Sequence, residues 1–535
     1  MNVEWGQQEE TAAGGNGSLP PMPPPPPPQW HLDMDLRHHI QHCACTCNHM
    51  GYGNYMDYQV WAQNAAGYYY CTQCLTEMPG RMLNGSARFN CQSRALIPGT
   101  RGSVTSSSSE EERLELRPWV VACLLVTVIC GIGLGLALIL SSSGGGDDED
   151  SADSTEHRMD QVRRILQEVP LIDGHNDLPW NIRKFVHNQL GKFNFSDDLR
   201  MVEPWSKSNW SHTDLPRLRA GLVGAQFWSA YVPCGSQHLD AVQVTMEQID
   251  VIKRLTQIYN TDLQFVTTVE GIREAHKSGR IASLIGVEGG HSFGSSLGVL
   301  RMFYGLGARY LTLTHTCHTP WAGCCLGDDS TDPENQGLSH FGRLVVRELN
   351  RLGMLVDLSH TSFKTMEHAL NVSTAPIIFS HSSAFALCNS TRNVPDYILK
   401  LVALNGGIVM VNFYTYFISC NQTATMEDVI AHINHIRKVA GDDHVGIGAG
   451  YDGINTTPSG LEDVSHYPEL LATLLASGEW TELQLKKLAG LNLLRVMSTA
   501  EQVRDNWQEE GVTVVEELIA ASGGKLPSDC VYMDS

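Results

Sequence analysis

The sequence predicts an α/β fold, a (β/α)8 barrel of the TIM type, preceded by a disordered N-terminal region and one transmembrane helix. Short apolar runs rich in β-branched residues alternate with amphipathic segments from about residue 159 onward. Strands that are apolar throughout are typical of a parallel sheet buried on both faces. Polar residues repeatedly end these runs, as catalytic groups do at the carboxyl ends of barrel strands.

Composition and charge set limits on the whole chain. It has 535 residues, a hydrophobic content of 42% and a formal net charge of −21. The hydrophobic content is ordinary for a globular protein, so most of the chain can bury a core. Lys and Arg form no extended run, and a strongly acidic chain is repelled by phosphate backbones. We therefore expect no nucleic-acid partner.

Residues 1–117 are predicted to be a low-complexity cytosolic region. The prolines between Pro20 and Pro28 favour polyproline II geometry, either as a linker or as a ligand for an aromatic-lined groove. The pair Cys71 and Cys74 has the spacing of metal ligands, but no second matching pair follows. A linker whose thiols hold no structural zinc is the interpretation that we favour.

Residues 119–140 form an uncharged, mostly apolar run that would rise about 33 Å as a helix, enough to cross a bilayer core. Arg113 and Arg117 precede this run and an acidic cluster follows it, so the N-terminus is expected in the cytosol. More than a hundred preceding residues favour a signal anchor over a cleaved signal peptide. The catalytic domain would then be extracellular or lumenal. Six N-glycosylation sequons follow the run and agree with that side, at Asn194, Asn209, Asn371, Asn389, Asn421 and Asn455.

Three further regions follow the membrane segment: a flexible acidic Gly/Ser stalk at 141–158, a barrel at 159–500 and a C-terminal extension at 501–535. The predicted strands lie near 171–174, 225–232, 281–287, 308–314, 353–358, 376–379, 407–413 and 444–449. A further run at 264–268 leaves the strand count open by one. Amphipathic helices are predicted at 241–259, 338–352, 426–440 and 480–496.

The strand ends carry a candidate metal centre. His175 and Asp177 end the first strand on the same face, about 6 to 7 Å apart along the chain, close enough to reach one ion. Later strand ends add Glu288, His291, His315, His360 and His381. One such histidine is more often structural, but several among carboxylates are satisfied together by shared metal ions. Imidazole and carboxylate ligands without thiolate suit zinc, with manganese or cobalt as alternatives, and hydrolysis by a metal-activated water would follow.

Six segments closely resemble the membrane (renal-type) dipeptidase family, and the resemblance extends from about 160 to 500. They are residues 173–179, 286–292, 311–315, 357–360, 379–382 and 460–465. The resemblance implies a zinc metalloprotease with two Zn²⁺ ions per subunit. One ion would be held by His175 and Asp177 and the other by His360 and His381, with Glu288 bridging them.

The resemblance also implies the catalytic and substrate-binding residues. Glu288 and His315 would be catalytic, with His315 polarising the scissile carbonyl. Arg392 would receive the carboxylate of the substrate, which a bidentate guanidinium suits. The leading hypothesis is therefore a membrane-anchored, glycosylated zinc dipeptidase that hydrolyses free dipeptides.

Covalent features are implied by the same resemblance: disulfides Cys234 to Cys317 and Cys388 to Cys420, and an interchain disulfide through Cys530 in a homodimer. Cys324 and Cys325 do not belong to this set; they can pair with each other, pair with the N-terminal thiols if the topology permits, or stay free. Family members typically end in a hydrophobic tail that is exchanged for a glycolipid anchor. This sequence ends in polar residues, so anchoring is assigned to 119–140.

One departure from the family touches catalysis. The family carries an Asp at the end of the eighth strand, two residues before a second Asp, whereas this sequence has Gly450 before Asp452. In related barrels the first carboxylate moves the proton from the attacking water to the leaving amine, a role worth about 10²- to 10⁴-fold. Asp452 is predicted on the same side of the strand but about 6 to 7 Å further along, too far to substitute. Reduced rather than absent turnover is expected.

Two alternatives follow from these observations. A catalytically impaired barrel that acts as a cell-surface binding protein is favoured by Gly450 and opposed by the retained ligands. A metal hydrolase for another substrate would keep the zinc and change the pocket. Amidated substrates distinguish this second alternative from a dipeptidase. If Arg392 binds the substrate carboxylate, C-terminally amidated dipeptides are not hydrolysed.

Overall fold

The computed structural model describes residues 147–326 and 337–519, with side chains from Thr155 onward, and two short N-terminal strands. These strands, Trp61–Gln63 and Tyr69–Cys71, pair antiparallel within a separate unit, residues 1–114. The predicted transmembrane segment at 119–140, the polyproline stretch and Cys530 lie outside the described residues. Among the helices that are described, none combines the length and hydropathy that a membrane crossing requires.

The larger unit contains a closed parallel barrel of eight strands. They are β1 Leu171–Asn176, β2 Val223–Tyr231, β3 Ile281–Glu288, β4 Ala308–Thr312, β5 Leu355–Asp357, β6 Ile378–Phe379, β7 Ile408–Val411 and β8 Val445–Ile447. The neighbours follow the order β2-β1-β8-β7-β6-β5-β4-β3, and β2 pairs with β3 to close the ring. The predicted (β/α)8 barrel is confirmed.

A ninth strand explains why the sequence left the number of strands uncertain by one. Leu263–Phe265 pairs in parallel only with the first residues of β3, Ile281 to Ser283, and lies outside the ring. From Ile285 onward its place beside β3 is taken by β4. The run at 264–268 therefore precedes a helix without joining the closed barrel.

Helices surround the strands and follow the chain between them. They are α1 Asp147–Glu168, α2 Leu178–Val186, α3 Leu215–Ala220, α4 Ala241–Ile258, α5 Val269–Lys277, α6 Leu297–Gly305, α7 His340–Leu352, α8 Phe363–Val372, α9 Asp396–Asn405, α10 Thr415–Ile418, α11 Met426–Ala440, α12 Tyr467–Ala476, α13 Glu482–Lys486 and α14 Asn492–Glu509. The end signals are local: Ser339 caps the start of α7 and Gly353, with a φ of +68°, ends it.

Two helical predictions differ from the structure. The single helix expected at 480–496 is divided into α13, a π-helical turn at Lys487–Leu491 and the longer α14. Helix α1 begins at Asp147, inside the stretch predicted as a flexible stalk.

The interior of the barrel is filled by side chains rather than left as a pore. Every residue of β1 and β3 is buried, as is expected where helices cover the outer face of a parallel sheet. Tyr310 of β4 lies fully buried across the interior, and a Cβ atom at Gly286 of β3 would fall 1.9 Å from its ring. Glycine at 286 therefore makes room for a phenol just below the strand ends that carry the candidate site.

Candidate metal centre and active site

One buried carboxylate oxygen lies at the centre of the candidate site. Glu288 is the last residue of β3 and is 3% exposed. Its Oε1 atom lies 3.1 Å from Nε2 of His360 and 3.5 Å from Nε2 of both His175 and His381. Nε2 of His315 is 3.8 Å away. The structure thus brings together residues from five separate strand ends, as the parallel barrel requires.

The pair that ends β1 is close in space as well as in sequence. Oδ2 of Asp177 lies 3.1 Å from Nε2 of His175. Asp177 directly precedes α2, and its backbone N–H donates to the carbonyl of Tyr451 at 2.9 Å. The Asp177 carboxylate is therefore held beside the imidazole by the chain that follows β8.

The four imidazoles form two overlapping groups around Glu288. His175, Glu288 and His381 offer ligand atoms within 4.8 Å of one another, and so do Glu288, His315 and His360. The His175 and His381 rings stack with centroids 3.8 Å apart, and the His315 and His360 rings are 4.3 Å apart. Glu288 belongs to both groups, which is what a bridging ligand needs.

The electrostatics of the donors suit a divalent cation. Burial lowers the pKa of His360, His381 and His315 well below the usual value, and the Arg392 charge adds to the effect. Neutral imidazoles are the form that binds metal. Burial raises the pKa of Glu288, because its negative charge is taken out of water. A cation bound among these groups would compensate the buried negative charge, so the residues present fit a metal centre.

His175 behaves differently from the other three histidines. Burial lowers its pKa, but Tyr310, Asp177 and Glu288 outweigh that effect, and the pKa of His175 is raised well above the usual value. Its Nδ1 atom is 2.9 Å from the Tyr310 hydroxyl, which in turn donates to the carbonyl of Gly174 at 3.3 Å. The imidazole is thus fixed on the side that faces away from Glu288.

Arg392 borders the metal cluster in the segment after β6 and is 3% exposed. Its Nη2 donates to the carbonyl of His381 at 3.0 Å, and its Nη1 donates to Oγ of Ser382 at 3.2 Å. The guanidinium carbon lies 5.3 Å from the centre of the Phe417 ring. Among the described residues, its buried Nε has no hydrogen-bond partner. A fixed guanidinium with a donor to spare can bind a carboxylate.

Two aromatic residues at the site were missed by sequence reasoning. Tyr231, the last residue of β2, places its ring 5.0 Å from that of His315, and Trp180 packs edge-on against Tyr231 at 5.1 Å. Burial raises the pKa of the Tyr231 phenol, and the Glu288 and Asp177 charges raise it further. Aromatic residues are common throughout such strands, so only its position at a strand end could have identified Tyr231 as a residue of the site.

His291 does not join the centre, although it follows Glu288 closely in sequence. Its Nε2 donates to the carbonyl of Val232 at 3.0 Å, and burial lowers its pKa to about 4. The sulfur atoms of Cys234 and Cys317 lie within 4.8 Å of a ring nitrogen of His291, but they are joined as a disulfide and therefore offer no thiolate to a metal.

The structure contains the two intrachain disulfides that the resemblance implies. Cys234 and Cys317 are joined, with Cα atoms 5.9 Å apart, and so are Cys388 and Cys420, at 5.3 Å. Cys324 is buried, as is Cys325, and neither belongs to these disulfides. The backbone N–H of Cys325 donates to the carbonyl of His360 at 2.7 Å.

The region of Gly450 differs in geometry from the prediction. Strand β8 ends at Ile447, and Gly450 and Asp452 both have positive φ angles, of 76° and 65°. The prediction that Asp452 lies on the same side of the strand as residue 450 is therefore wrong. The Asp452 carboxylate instead accepts from Nδ2 of Asn181 and the backbone N–H of His212, and burial raises its pKa to about 7. It is engaged elsewhere and does not replace the missing carboxylate.

A closed parallel barrel with imidazoles and carboxylates gathered at the carboxyl ends of its strands is the architecture of a metal-dependent hydrolase. Residues 159–511 match the family described as membrane dipeptidase (peptidase family M19). The chain belongs to this family, which confirms the predicted family and the predicted class of metallo-dipeptidase enzymes.

Individual relatives agree with the family. The chain is 47% identical over 347 residues to Dipeptidase 3 of Mus musculus, covering 65% of this chain and 67% of the relative. A crystal structure described as dipeptidase AC, a metallo peptidase of family M19, matches with a TM-score of 0.55 and 27% identity, covering 62% of this chain and 98% of that one. A metallo peptidase from Rhodobacter sphaeroides, liganded with a phosphinate mimic of the dipeptide L-Ala-D-Ala, matches with a TM-score of 0.54 and 26% identity, covering 62% and 99%.

Proposed function

We propose that the chain hydrolyses the peptide bond of free dipeptides at a centre of two zinc ions. The observation that carries the proposal is the position of Glu288 Oε1 within 3.1 to 3.8 Å of four imidazole nitrogens. Donors of this kind, without thiolate, suit zinc. The dipeptide substrate follows from the family and from the relative that binds a phosphinate mimic of a dipeptide.

We assign the ligands to the two ions as the family resemblance implies, although the ligand atoms of His381 lie close to those of both His175 and His360. His175 and Asp177 would hold one ion, His360 and His381 the other, and Glu288 would bridge them. The distances support a shared centre, since Glu288 is common to both groups of ligand atoms. Metal ions bound here would supply a Lewis acid for the scissile carbonyl and would activate the attacking water.

The remaining residues would bind and orient the substrate. His315 is buried and neutral, and its Nδ1 is 3.1 Å from Oγ1 of Thr316. A neutral imidazole can donate one hydrogen bond to the scissile carbonyl as negative charge develops there. Arg392 would bind the substrate carboxylate through its free donor, which selects a substrate with an unblocked C-terminus.

Reduced turnover is the second part of the proposal. The backbone N–H of Gly450 donates to the carbonyl of His175 at 3.1 Å, so residue 450 borders the ligand pair of β1. Without a side chain there, the chain supplies no carboxylate at this position to move a proton from the water to the leaving amine. The expected cost is about 10²- to 10⁴-fold in turnover, while metal and substrate binding are kept.

The cellular setting is also proposed. Residues 119–140 would anchor the chain in a membrane with the barrel on the extracellular or lumenal side, and Cys530 would link two copies in a homodimer. Five of the six sequon asparagines are exposed and Asn455 is partly buried, which supports a glycosylated barrel. The two disulfides support an oxidising compartment. The alternative of a binding protein is not supported by the relatives above, which are named as peptidases.

Metal dependence tests the proposed function. Dipeptide hydrolysis by the full chain is measured before chelation, after chelation and after zinc is restored, and the Glu288→Gln variant is assayed beside it. We expect chelation to abolish hydrolysis and zinc to restore it. Glu288→Gln should lose more activity than the roughly 10- to 100-fold that is typical when a hydrogen-bond partner of a metal ligand is removed. The matched control is Glu247→Gln, which removes a partly exposed ion pair with Arg183. Hydrolysis that survives chelation, or that persists in Glu288→Gln, would contradict the proposal.

A further inference from the structure

A fully buried carboxylate below the metal centre has no role in the function described so far. Asp357 is the last residue of β5 and is 0% exposed. Its Oδ1 accepts from the backbone N–H groups of Ser359 at 3.0 Å and Ser380 at 2.8 Å. Its Oδ2 accepts from Oγ1 of Thr312 and from Oγ of Ser380, both at 2.6 Å. The carboxylate thus faces four donors from β4 and from the segments that follow β5 and β6.

The direction of these hydrogen bonds determines the tautomer of His381. A carboxylate can only accept, so the single hydroxyl proton of Ser380 points to Asp357. The next acceptor of that proton, Oγ of Ser359, is further away at 3.4 Å. Oγ of Ser380 therefore acts as an acceptor toward Nδ1 of His381, which lies 2.8 Å away. With its ring proton on Nδ1, a neutral His381 presents the Nε2 lone pair to Glu288 and His360.

We propose that Asp357 is a positioning residue for the metal centre, acting through the Ser380 hydroxyl to hold His381 in the tautomer that can bind zinc. The inference rests on the proposed function, because it assigns His381 as a ligand. Partners of this kind orient ligand histidines and raise their basicity. No protein group other than Ser380 is hydrogen-bonded to Nδ1 of His381 in the described part of the chain.

The other ligand histidines lack a charged partner of this kind. Nδ1 of His175 is hydrogen-bonded to the neutral Tyr310 hydroxyl, which itself donates a hydrogen bond to a backbone carbonyl. Within the described residues, Nδ1 of His360 is buried without a hydrogen-bond partner. Asp357 is therefore expected to act on the ion held by His381 rather than on the centre as a whole.

The substitution Asp357→Asn reverses the hydrogen bonds without changing the size of the side chain. Two backbone N–H groups face Oδ1, so the amide oxygen must stay there and the amide nitrogen must take the place of Oδ2. That nitrogen donates to Oγ of Ser380, whose proton then turns toward Nδ1 of His381. The ring proton moves to Nε2, which can no longer bind metal.

Two further variants make the test specific. Thr312→Val is the matched control, because it removes the other 2.6 Å hydrogen bond to the same oxygen and leaves Ser380 and His381 in place. Ser380→Ala keeps Asp357 but removes the hydroxyl that links it to His381, an arrangement that we call the relay. This variant provides the test if Asp357→Asn does not fold. Circular dichroism and thermal unfolding of the metal-free full chain establish which variants are folded.

Zinc affinity of the full chain is measured by competition with a chelator, and the visible spectrum of the cobalt-substituted protein reports the ligand geometry. We expect Asp357→Asn and Ser380→Ala to weaken zinc binding by about 10- to 100-fold and to alter the cobalt spectrum, while Thr312→Val matches the wild type in both. Unchanged zinc affinity in folded Asp357→Asn or Ser380→Ala, or an equal loss in Thr312→Val, would overturn the inference. A wild-type chain that binds no zinc would instead overturn the proposed function, and the inference with it.

Discussion

Nε2 of His360 and Nε2 of His381 face each other at 2.9 Å, although the two residues follow different strands of the barrel. Burial lowers the pKa of both imidazoles, so neither carries an extra proton to share. With the relay through Ser380, His381 offers a lone pair at this contact. Two nitrogen ligands and the Glu288 carboxylate thus converge on a space that a cation would occupy.

Replacing Arg392 by lysine should weaken recognition of the substrate carboxylate. Lysine keeps the positive charge but loses the forked donors that reach Ser382 and the carbonyl of His381. A hydrogen bond to a charged group is worth about 1.5 to 3 kcal/mol, so kcat/KM should fall by about 10- to 100-fold.

Amidated substrates provide the control for Arg392. The wild type should discriminate strongly between a free dipeptide and its C-terminal amide, and the Arg392→Lys variant should discriminate less. Equal hydrolysis of acid and amide by the wild type would contradict a role for Arg392 and would favour a hydrolase for another substrate.

His466 should make stability depend on pH. A hydrogen bond with Asp463 raises the pKa of His466, and Nδ1 of His466 lies 3.4 Å from Oδ1 of Asp463. Because the pKa of the folded state is above the unfolded value of about 6.5, this stabilisation is fully present below about pH 6.5. It is lost as the pH rises through the folded pKa. The free energy of unfolding should therefore fall between about pH 6 and pH 9 by more in the wild type than in His466→Gln.

Chemical denaturation of both proteins at several pH values checks this prediction. The difference between the two curves isolates His466 from other groups that titrate in the same range, such as Asp452, whose pKa burial raises to about 7. Parallel pH profiles for the wild type and His466→Gln would show that the ion pair does not contribute.

The two disulfides should differ in their kinetic effects. Each closes a long loop, of 83 residues for Cys234 to Cys317 and 32 for Cys388 to Cys420, so removing either should cost about 4 kcal/mol of stability. Sγ of Cys234 lies 3.9 Å from Nδ1 of His315, which links the first disulfide to the imidazole that we propose polarises the scissile carbonyl. The carbonyl of Cys388 accepts from Asn393, next to Arg392, which links the second disulfide to the proposed substrate-binding residue.

Paired Cys→Ala variants separate these effects in steady-state kinetics. Loss of the first disulfide should mainly lower kcat, and loss of the second should mainly raise KM. The same kinetic change in both double variants would mean that the disulfides act only through stability.

The sequence predicted the barrel and the identity of the clustered residues because both depend on local patterns. Apolar runs indicated the strands, and a parallel barrel collects their carboxyl ends on one rim, so the sequence alone could place Glu288 and four histidines together. The relay from Asp357 to His381 could not be predicted in this way. It depends on which hydroxyl lies beside which ring nitrogen, and that is determined by the register of β4, β5 and β6.

The end of β8 shows where strand geometry misleads. Alternation of side chains holds only while the chain is extended, and the positive φ of Gly450 ends it. Asp452 consequently bonds to Asn181 and His212 rather than facing the metal ligands. Tyr231 was missed for a different reason, since an aromatic residue at the end of an apolar strand carries no distinctive signal.

Restoring a carboxylate at residue 450 tests the central claim, that the metal ligands are complete and the proton carrier is absent. A Cβ atom at Gly450 would meet only Cγ2 of Ile454, at 3.9 Å, so there is room for a side chain. The positive φ of 76° disfavours most residues, but Asp and Asn tolerate it better than others. Gly450→Asn is therefore the matched control, equal in size and backbone strain but unable to act as a base.

The measurement is kcat for a free dipeptide with the zinc-loaded wild type, Gly450→Asp and Gly450→Asn, at matched zinc content. We predict that Gly450→Asp is faster than the wild type by about 10²- to 10⁴-fold and that Gly450→Asn is not faster. Equal rates for the wild type and Gly450→Asp would contradict the account.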